Sequence, residues 1–535
     1  MEHLNRSSDG RDSRGSRPAA DDSGSSSDAH HKIGLDDTSA KITMDGQVSD
    51  RFTLEYLEDH VYDKEWSEFV CDNYWSILPL FGPEEIVRAC YALASAIGIS
   101  LEGKPITRDT ERKNRIAIMI ARIGVNSLSD GNSRSETNLR HISNLDLKAD
   151  LFLSLGIALF NSSRPVSALE NLDFAEVYYM QARRLMKDDP DFCRSMDVRY
   201  ECCRAKEAEF LSRMIEVMPG QRRALFANIA NSHMAQAVAN LEKYGDWKSS
   251  EYFYPWLEQC QLDCIRYYDF VEKDIEDLNR DTIEDGYQRW CEETVRFLTL
   301  MNEVPHRSAR FAKDEISFPL SERHQWLLDD IVLTYDHCRR ILYRIYMIPE
   351  EEFSRKGRDE DVEALLDCYA RLYTILDKSA KLIDHLFPAD GSKQNLHFYQ
   401  VAETLENSSN PYLRAIHFIC TDIFPDRIAT SERTFDPRSN VYGIVLKKGF
   451  IRNSIMHNTV RIAEESKDHG IYEGVATLTP RELLLVTNWL SYDVREVLLT
   501  LQLAVEYRRL NGRGGSFSAH IMLCRRSLFR PGTTT

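Results

Sequence analysis

From about residue 50 to 300, apolar positions recur at helical spacing almost without interruption, broken by polar stretches near 125–145 and by Pro190, Pro219 and Pro255. No run in this half alternates as a strand would. A second helical set begins near Ser321. Leu327, Ile331, Tyr335, Cys338, Leu342 and Ile345 mark one amphipathic helix, and Val362, Leu365, Tyr369, Leu372, Leu376, Ala380 and Ile383 mark a longer one. Asn410-Pro411 predicts an N-cap followed by proline at the first helical position, opening a helix through Phe424. Thr479-Pro480-Arg481-Glu482 reads as a capping box that opens a helix running to about Leu510. Between these, Ile451, Ile455 and Ile462 fall within about 40° of one another at 100° per residue, which predicts a helix over about 450–466. The five make a bundle, and the fold class is all-α.

The ends differ in composition. Residues 1–45 are rich in Ser, Asp, Gly and Arg, bury too little apolar surface to offset their ordering entropy, and are expected to be disordered. Residues 513–535 are expected to form a flexible tail. The expected division is therefore a helical region over 46–300 and a bundle over 320–512. With 535 residues and 43% hydrophobic content the chain can bury large cores.

A net charge of −17 excludes a general nucleic-acid coat or a basic membrane-surface protein, so any nucleic-acid contact is confined to a site. No stretch approaches the length of apolar sequence that spans a bilayer, and the N-terminus lacks an apolar signal core, so no membrane is expected and the cytoplasm is the expected location. The twelve cysteines sit mostly singly in helical patterns; Cys202-Cys203 and Cys260/Cys264 lack the spacing of a zinc site and read as buried thiols in a reducing compartment.

Against this acidic background one window is basic. Between Asp436 and Glu464 there is no acidic residue, while Arg438, Lys447, Lys448, Arg452 and Arg461 all fall there. A local cationic patch favours an anionic ligand. Within it, Arg452-Asn453-Ser454-Ile455-Met456-His457 brings together the groups that cleave a phosphodiester without a metal. A guanidinium fork matches two phosphate oxygens and stabilises the charge of a pentacoordinate transition state. Imidazole titrates near neutrality and moves a proton to or from a ribose hydroxyl. On a helix, Asn453 and His457 are i,i+4 neighbours and Arg452 lies roughly 140° away. One straight helix closes the pair around a phosphate only if the motif starts the helix, near Gly449, or if a second copy of the helix packs along Met456 and Val460. The structural alternative is a solvated surface histidine. Neither a two-metal carboxylate cluster nor a Gly-rich phosphate loop is present, so no metal and no cofactor are expected.

Two resemblances follow from these residues. Phe152, Leu155-Gly156, Leu159, Ala168, Leu172 and Ala175 resemble the large and small positions of a tetratricopeptide unit, with Met180 where the closing proline would stand; a generic helical hairpin is the alternative. Arg-Asn-x-x-x-His on a late helix of a small bundle resembles the signature of the HEPN superfamily (higher eukaryotes and prokaryotes nucleotide-binding). The stretches Tyr287-Gln288-Arg289-Trp290-Cys291 with Leu298 and Asn302, Tyr373 to Lys378, and Asn410 to Ala415 resemble, in order, the subgroup in which a tetratricopeptide-like region precedes the HEPN bundle.

The resemblance implies an N-terminal helical-hairpin array followed by a HEPN-type bundle, with Arg452 and His457 as catalytic pair and Asn453 beside them. Lys447, Lys448 and Arg461 would extend an RNA track. It implies a metal-independent ribonuclease, a toxin-like or defence effector, with RNA as partner, a homodimer through the motif helix, and a protein partner on the array. The competing reading is a scaffold whose bundle binds RNA or nucleotide, or only dimerises. For Asp377-Lys378 and for Trp290 with Cys291 the structural reading is the favoured one: an ion pair that caps or packs a helix, and core filling.

Overall fold

The computed structural model describes residues 53–61, 64–82, 85–101, 104, 107–127, 145–215, 221–244, 253–278, 321–348, 353, 359–388, 397–424, 460–462, 471–472 and 475–512. The first half is a run of helices: α1 (Leu54–Asp59), α2 (Lys64–Ile77), α3 (Ile86–Ser100), α4 (Arg108–Ser127), α5 (Leu145–Asn161), α6 (Pro165–Leu185), α7 (Pro190–Ile215), α8 (Gln221–Leu241) and α9 (Phe253–Leu278). From α3 on, each packs chiefly on the helix next to it in sequence, giving an array rather than a closed bundle. The breaks expected at Pro190 and Pro255 fall just before them, each proline sitting in the first turn of the next helix, α7 and α9, where the missing amide hydrogen costs nothing.

Small residues set the spacing of this array. A Cβ added to Gly156 would lie 3.0 Å from the Ala168 carbonyl oxygen and 3.0 Å from a Leu172 methyl, so α5 and α6 touch at the positions the sequence pattern picks out. Leu155, Leu159, Ala168, Leu172 and Ala175 are all buried along the same seam, and Phe152 stacks on Tyr178 at its edge. Gly124 does the same for α4, where a Cβ would meet that of Cys90 on α3 and a Leu151 methyl on α5 at 2.8 Å.

The second half contains α10 (Glu322–Tyr346), α11 (Asp359–Leu386), α12 (Phe398–Thr404), α13 (Pro411–Ile423) and α14 (Pro480–Gly512). The all-α class holds, with every apolar residue expected on α11 buried. Asn410 caps α13 by accepting from the Tyr412 amide at 3.0 Å, and its amide nitrogen donates to the Ala504 carbonyl on α14. Thr479 and Glu482 form the reciprocal capping box of α14. No described helix is long and apolar enough to cross a membrane.

The helix expected over 450–466 is corrected at its C-terminal part. Val460–Ile462 is a strand, β1, in a small sheet with β2 (Ile471–Tyr472) and β3 (Val475–Leu478), in the order β1-β3-β2. β1 runs parallel to β3 with Val460 opposite Ala476 and Ile462 opposite Leu478; β2 is antiparallel to β3. Val460 and Ile462 are β-branched residues, which lose rotamer freedom in a helix and fit a pleated surface, and the backbone of β3 offers a partner for each residue of Val460–Ile462. Local periodicity yields to this pairing. Val460 consequently does not share one helix face with Met456, the stripe on which a twofold seam through the motif helix was expected.

Because the Ala168 carbonyl is fixed backbone, Gly156→Val is expected to force α5 and α6 apart and to destabilise the protein by about 1–3 kcal/mol. Gly156→Ala should cost less, since the helix-propensity gain of up to about 1 kcal/mol offsets the crowding. Thermal melts of the two variants against wild type check the order; a Val variant as stable as wild type would contradict the close approach.

Candidate functional site

The motif belongs to the segment that leads into β1. Val460 stands three positions after His457, and β1 is tied through β3 to the capped start of α14. Ile462 packs against the core and Leu478 is buried, so this corner of the sheet is fixed to the bundle. Arg461 lies in β1 with its backbone opposite Thr477. Arg452, Asn453, His457, Lys447 and Lys448 lie outside the described residues, as do Trp290 and Cys291.

Further along α14 a charged cluster joins the array to the bundle. The turn between α5 and α6 ends α5 with Ser163 at φ 59°, a left-handed position usually given to glycine, while the Arg164 amide reaches back to the Leu159 carbonyl and that of Ser163 to Phe160. This turn delivers the Arg164 side chain, 1% exposed, into the bundle. Its Nε and Nη2 donate to the two Glu496 oxygens on α14 at 3.0 and 2.5 Å, and Nη1 donates to Asp422 on α13 at 2.6 Å. Arg122 of α4 holds the same Asp422 at 2.9 Å. Glu170 of α6 pairs with the fully buried Arg495. At the other end of α13, Arg414 grips Glu111 of α4 at 2.6 Å.

Electrostatics keeps these groups ionised. Burial opposes the charge on Asp422, but Arg122 and Arg164 outweigh it and hold the carboxyl well below the usual range. Burial likewise works against the Arg164 charge, and Glu496 and Asp422 overcome it and raise its pKa. Burial lowers the Arg495 guanidinium to about 9, with Glu496 opposing, so it too is charged at neutral pH. The Arg164 guanidinium, whose fork is occupied by Glu496 and Asp422 inside the protein, is not free to meet a phosphate. The cluster is architectural.

No family model, curated protein or solved structure matches the chain. Its own side chains therefore carry the chemical argument, and most of the chemistry-bearing groups that are described have structural employment. Asp377 accepts from the Phe398 amide and so caps α12, while Lys378 pairs with Asp330 on α10. The buried His417 donates through Nδ1–H to the Ala402 carbonyl at 2.9 Å, and burial lowers its pKa. Burial pushes the Cys71, Cys202 and Cys264 thiols up to about 12, which leaves them un-ionised and without nucleophilic character at neutral pH. Among the described residues no group of three His, Cys, Asp or Glu is placed to hold a metal ion.

The Arg164–Asp422–Glu496 cluster was not anticipated from sequence. The one local signal is Arg495-Glu496 inside the otherwise apolar run Val494 to Leu499, where charged residues within a wholly buried stretch of helix demand partners.

A carboxylate whose pKa is depressed on folding contributes stability that is complete above its unfolded pKa of about 4 and is lost as pH falls through the folded value. Acid should therefore weaken the protein below about pH 4 in part through Asp422. Asp422→Asn should lower stability at pH 7 by about 3 kcal/mol or somewhat less, the lower bound for breaking a buried pair, because Arg122 is one-third exposed. It should also flatten the loss between pH 4 and 2. Equal acid slopes for the variant and wild type in urea titrations would contradict the assignment.

Proposed function

We propose that the chain is a metal-independent endoribonuclease of HEPN type, acting in the cytoplasm on single-stranded or loop RNA as a toxin-like or defence effector under control of the N-terminal array. The observation that carries this reading is Arg452-Asn453-x-x-x-His457 inside the acid-free window that also holds Lys447, Lys448 and Arg461, on a protein of net charge −17. The 2′-oxygen attacks phosphorus and the bond to the 5′-oxygen breaks, leaving a 2′,3′-cyclic phosphate and a 5′-hydroxyl. His457 moves a proton from the nucleophile or to the leaving oxygen, Arg452 neutralises the developing phosphorane charge, and Asn453 orients the imidazole or a phosphate oxygen. The lysines and Arg461 attract the backbone of the RNA.

Purified full-length protein incubated with mixed RNA in EDTA should yield 5′-hydroxyl and 2′,3′-cyclic phosphate ends, and substrates with 2′-O-methyl at the cut should resist. His457→Ala should abolish cleavage with helical circular dichroism unchanged, and Arg452→Lys should also fail because a point charge does not replace a bidentate fork. Products with 5′-phosphates, loss of activity in EDTA, or full activity of the His457 variant would each refute the proposal.

A further inference from the structure

Helix α10 buries Leu328, Ile331, Val332, Tyr335, Cys338, Leu342 and Ile345 against the bundle. Its opposite face carries Trp326, Asp330, Leu333, His337, Arg340 and Arg344, spaced alternately four and three residues apart, which is the spacing of a two-helix seam. All six are exposed. Trp326 is 65% exposed and Leu333 59%, more than a lone surface apolar residue requires, and Met347, 57% exposed, prolongs the stripe. Asp330, Arg340 and Arg344 keep partners within the chain, Lys378, Asp336 and Asp361 respectively, yet their side chains remain 55%, 44% and 57% exposed, so each still presents an edge outward.

The charges on this stripe are ordered along the helix. The acidic residue lies in its N-terminal half and the two arginines in its C-terminal half. A parallel pairing of two copies would oppose Asp330 to the partner's Asp330 and Arg340 to the partner's Arg340. An antiparallel pairing with its twofold axis at the level of Tyr335 makes every layer complementary. Trp326 then faces the partner's Arg344 as a cation–π contact, Asp330 faces the partner's Arg340, and Leu333 faces the partner's His337. We propose that this outer face of α10 is a homodimer interface, formed by antiparallel packing against the same face of a second copy. A twofold axis repeats each of the three pairs, giving six layers over about five turns of helix. Such a seam is near the lower limit of about 1,000 Å² for a specific interface, in the size class of weak, reversible contacts.

Sedimentation velocity of the full chain across the micromolar range tests the proposal without reference to any catalytic activity. Wild type should dimerise with rising concentration. Asp330→Arg and Arg340→Asp each place like charges in two layers and should weaken the dimer at least tenfold; the double variant D330R/R340D exchanges the two charges and should restore it. Trp326→Lys, set against the partner's Arg344, should also give monomer. All three substituted positions are exposed, so helical circular dichroism and melting should stay close to wild type, which separates loss of assembly from loss of fold. A wild type that remains monomeric throughout, single variants that dimerise like wild type, or a folded double variant that fails to recover would each overturn the interface.

Discussion

The joint between the helical array and the bundle is built around Arg164. Its guanidinium comes from a helical turn of the array and is closed on both sides by carboxylates of the bundle, Asp422 and Glu496, which lie 258 and 332 residues further along the chain. An arginine and a glutamate removed from water at several kcal/mol each are tolerable only if their geometry is held together by everything around them. The apolar packing of α6 against α14 and the left-handed Ser163 that aims the side chain are therefore parts of one arrangement. Arg122, Arg414 and Arg495 repeat the theme with Asp422, Glu111 and Glu170. The described residues accordingly form one compact unit, although their helices group into an array and a bundle.

α14 is the element through which this joint meets the proposed chemistry. Its middle, Val494 to Leu501, is buried all round; its N-terminus is capped by Thr479 and Glu482, and the strand before it holds β1. The motif residues precede β1 in the chain. A helix fixed by buried ion pairs on one flank and by the apolar faces of α11 and α13 on the others is a rigid support, and rigid elements are where a site is best attached.

How much of this is legible in the sequence follows the range of each interaction. Caps are local, so Asn410-Pro411 and Thr479-Pro480-Arg481-Glu482 can be read directly, and so can the apolar faces of α10 and α11. Gly156 can be read because small residues at fixed spacing along two neighbouring helices have one common use. The cluster at Arg164 cannot, since nothing local distinguishes an arginine that will meet Glu496 from one that will meet water. β1 fails for a related reason: three residues are too few for periodicity, and the partner that decides their conformation lies in β3. Asp377 and Lys378 show an intermediate case, in which an ion pair or a cap is foreseeable but the cap on α12 and the partner Asp330 are set by tertiary packing. Of the proposed catalytic site, the residue types and spacing of Arg452, Asn453 and His457 belong to the sequence, and the backbone pairing of Arg461 belongs to the fold.

Locked at Arg164, array and bundle should open as one cooperative unit. Hydrogen exchange of the full chain in increasing denaturant measures this directly, because amides that open together share one free energy and one denaturant dependence. The most protected amides of α6 and α14 should converge on a single opening, and Arg164→Met should lower both together. Retention of full protection in α14 while α6 opens independently at lower denaturant would contradict it.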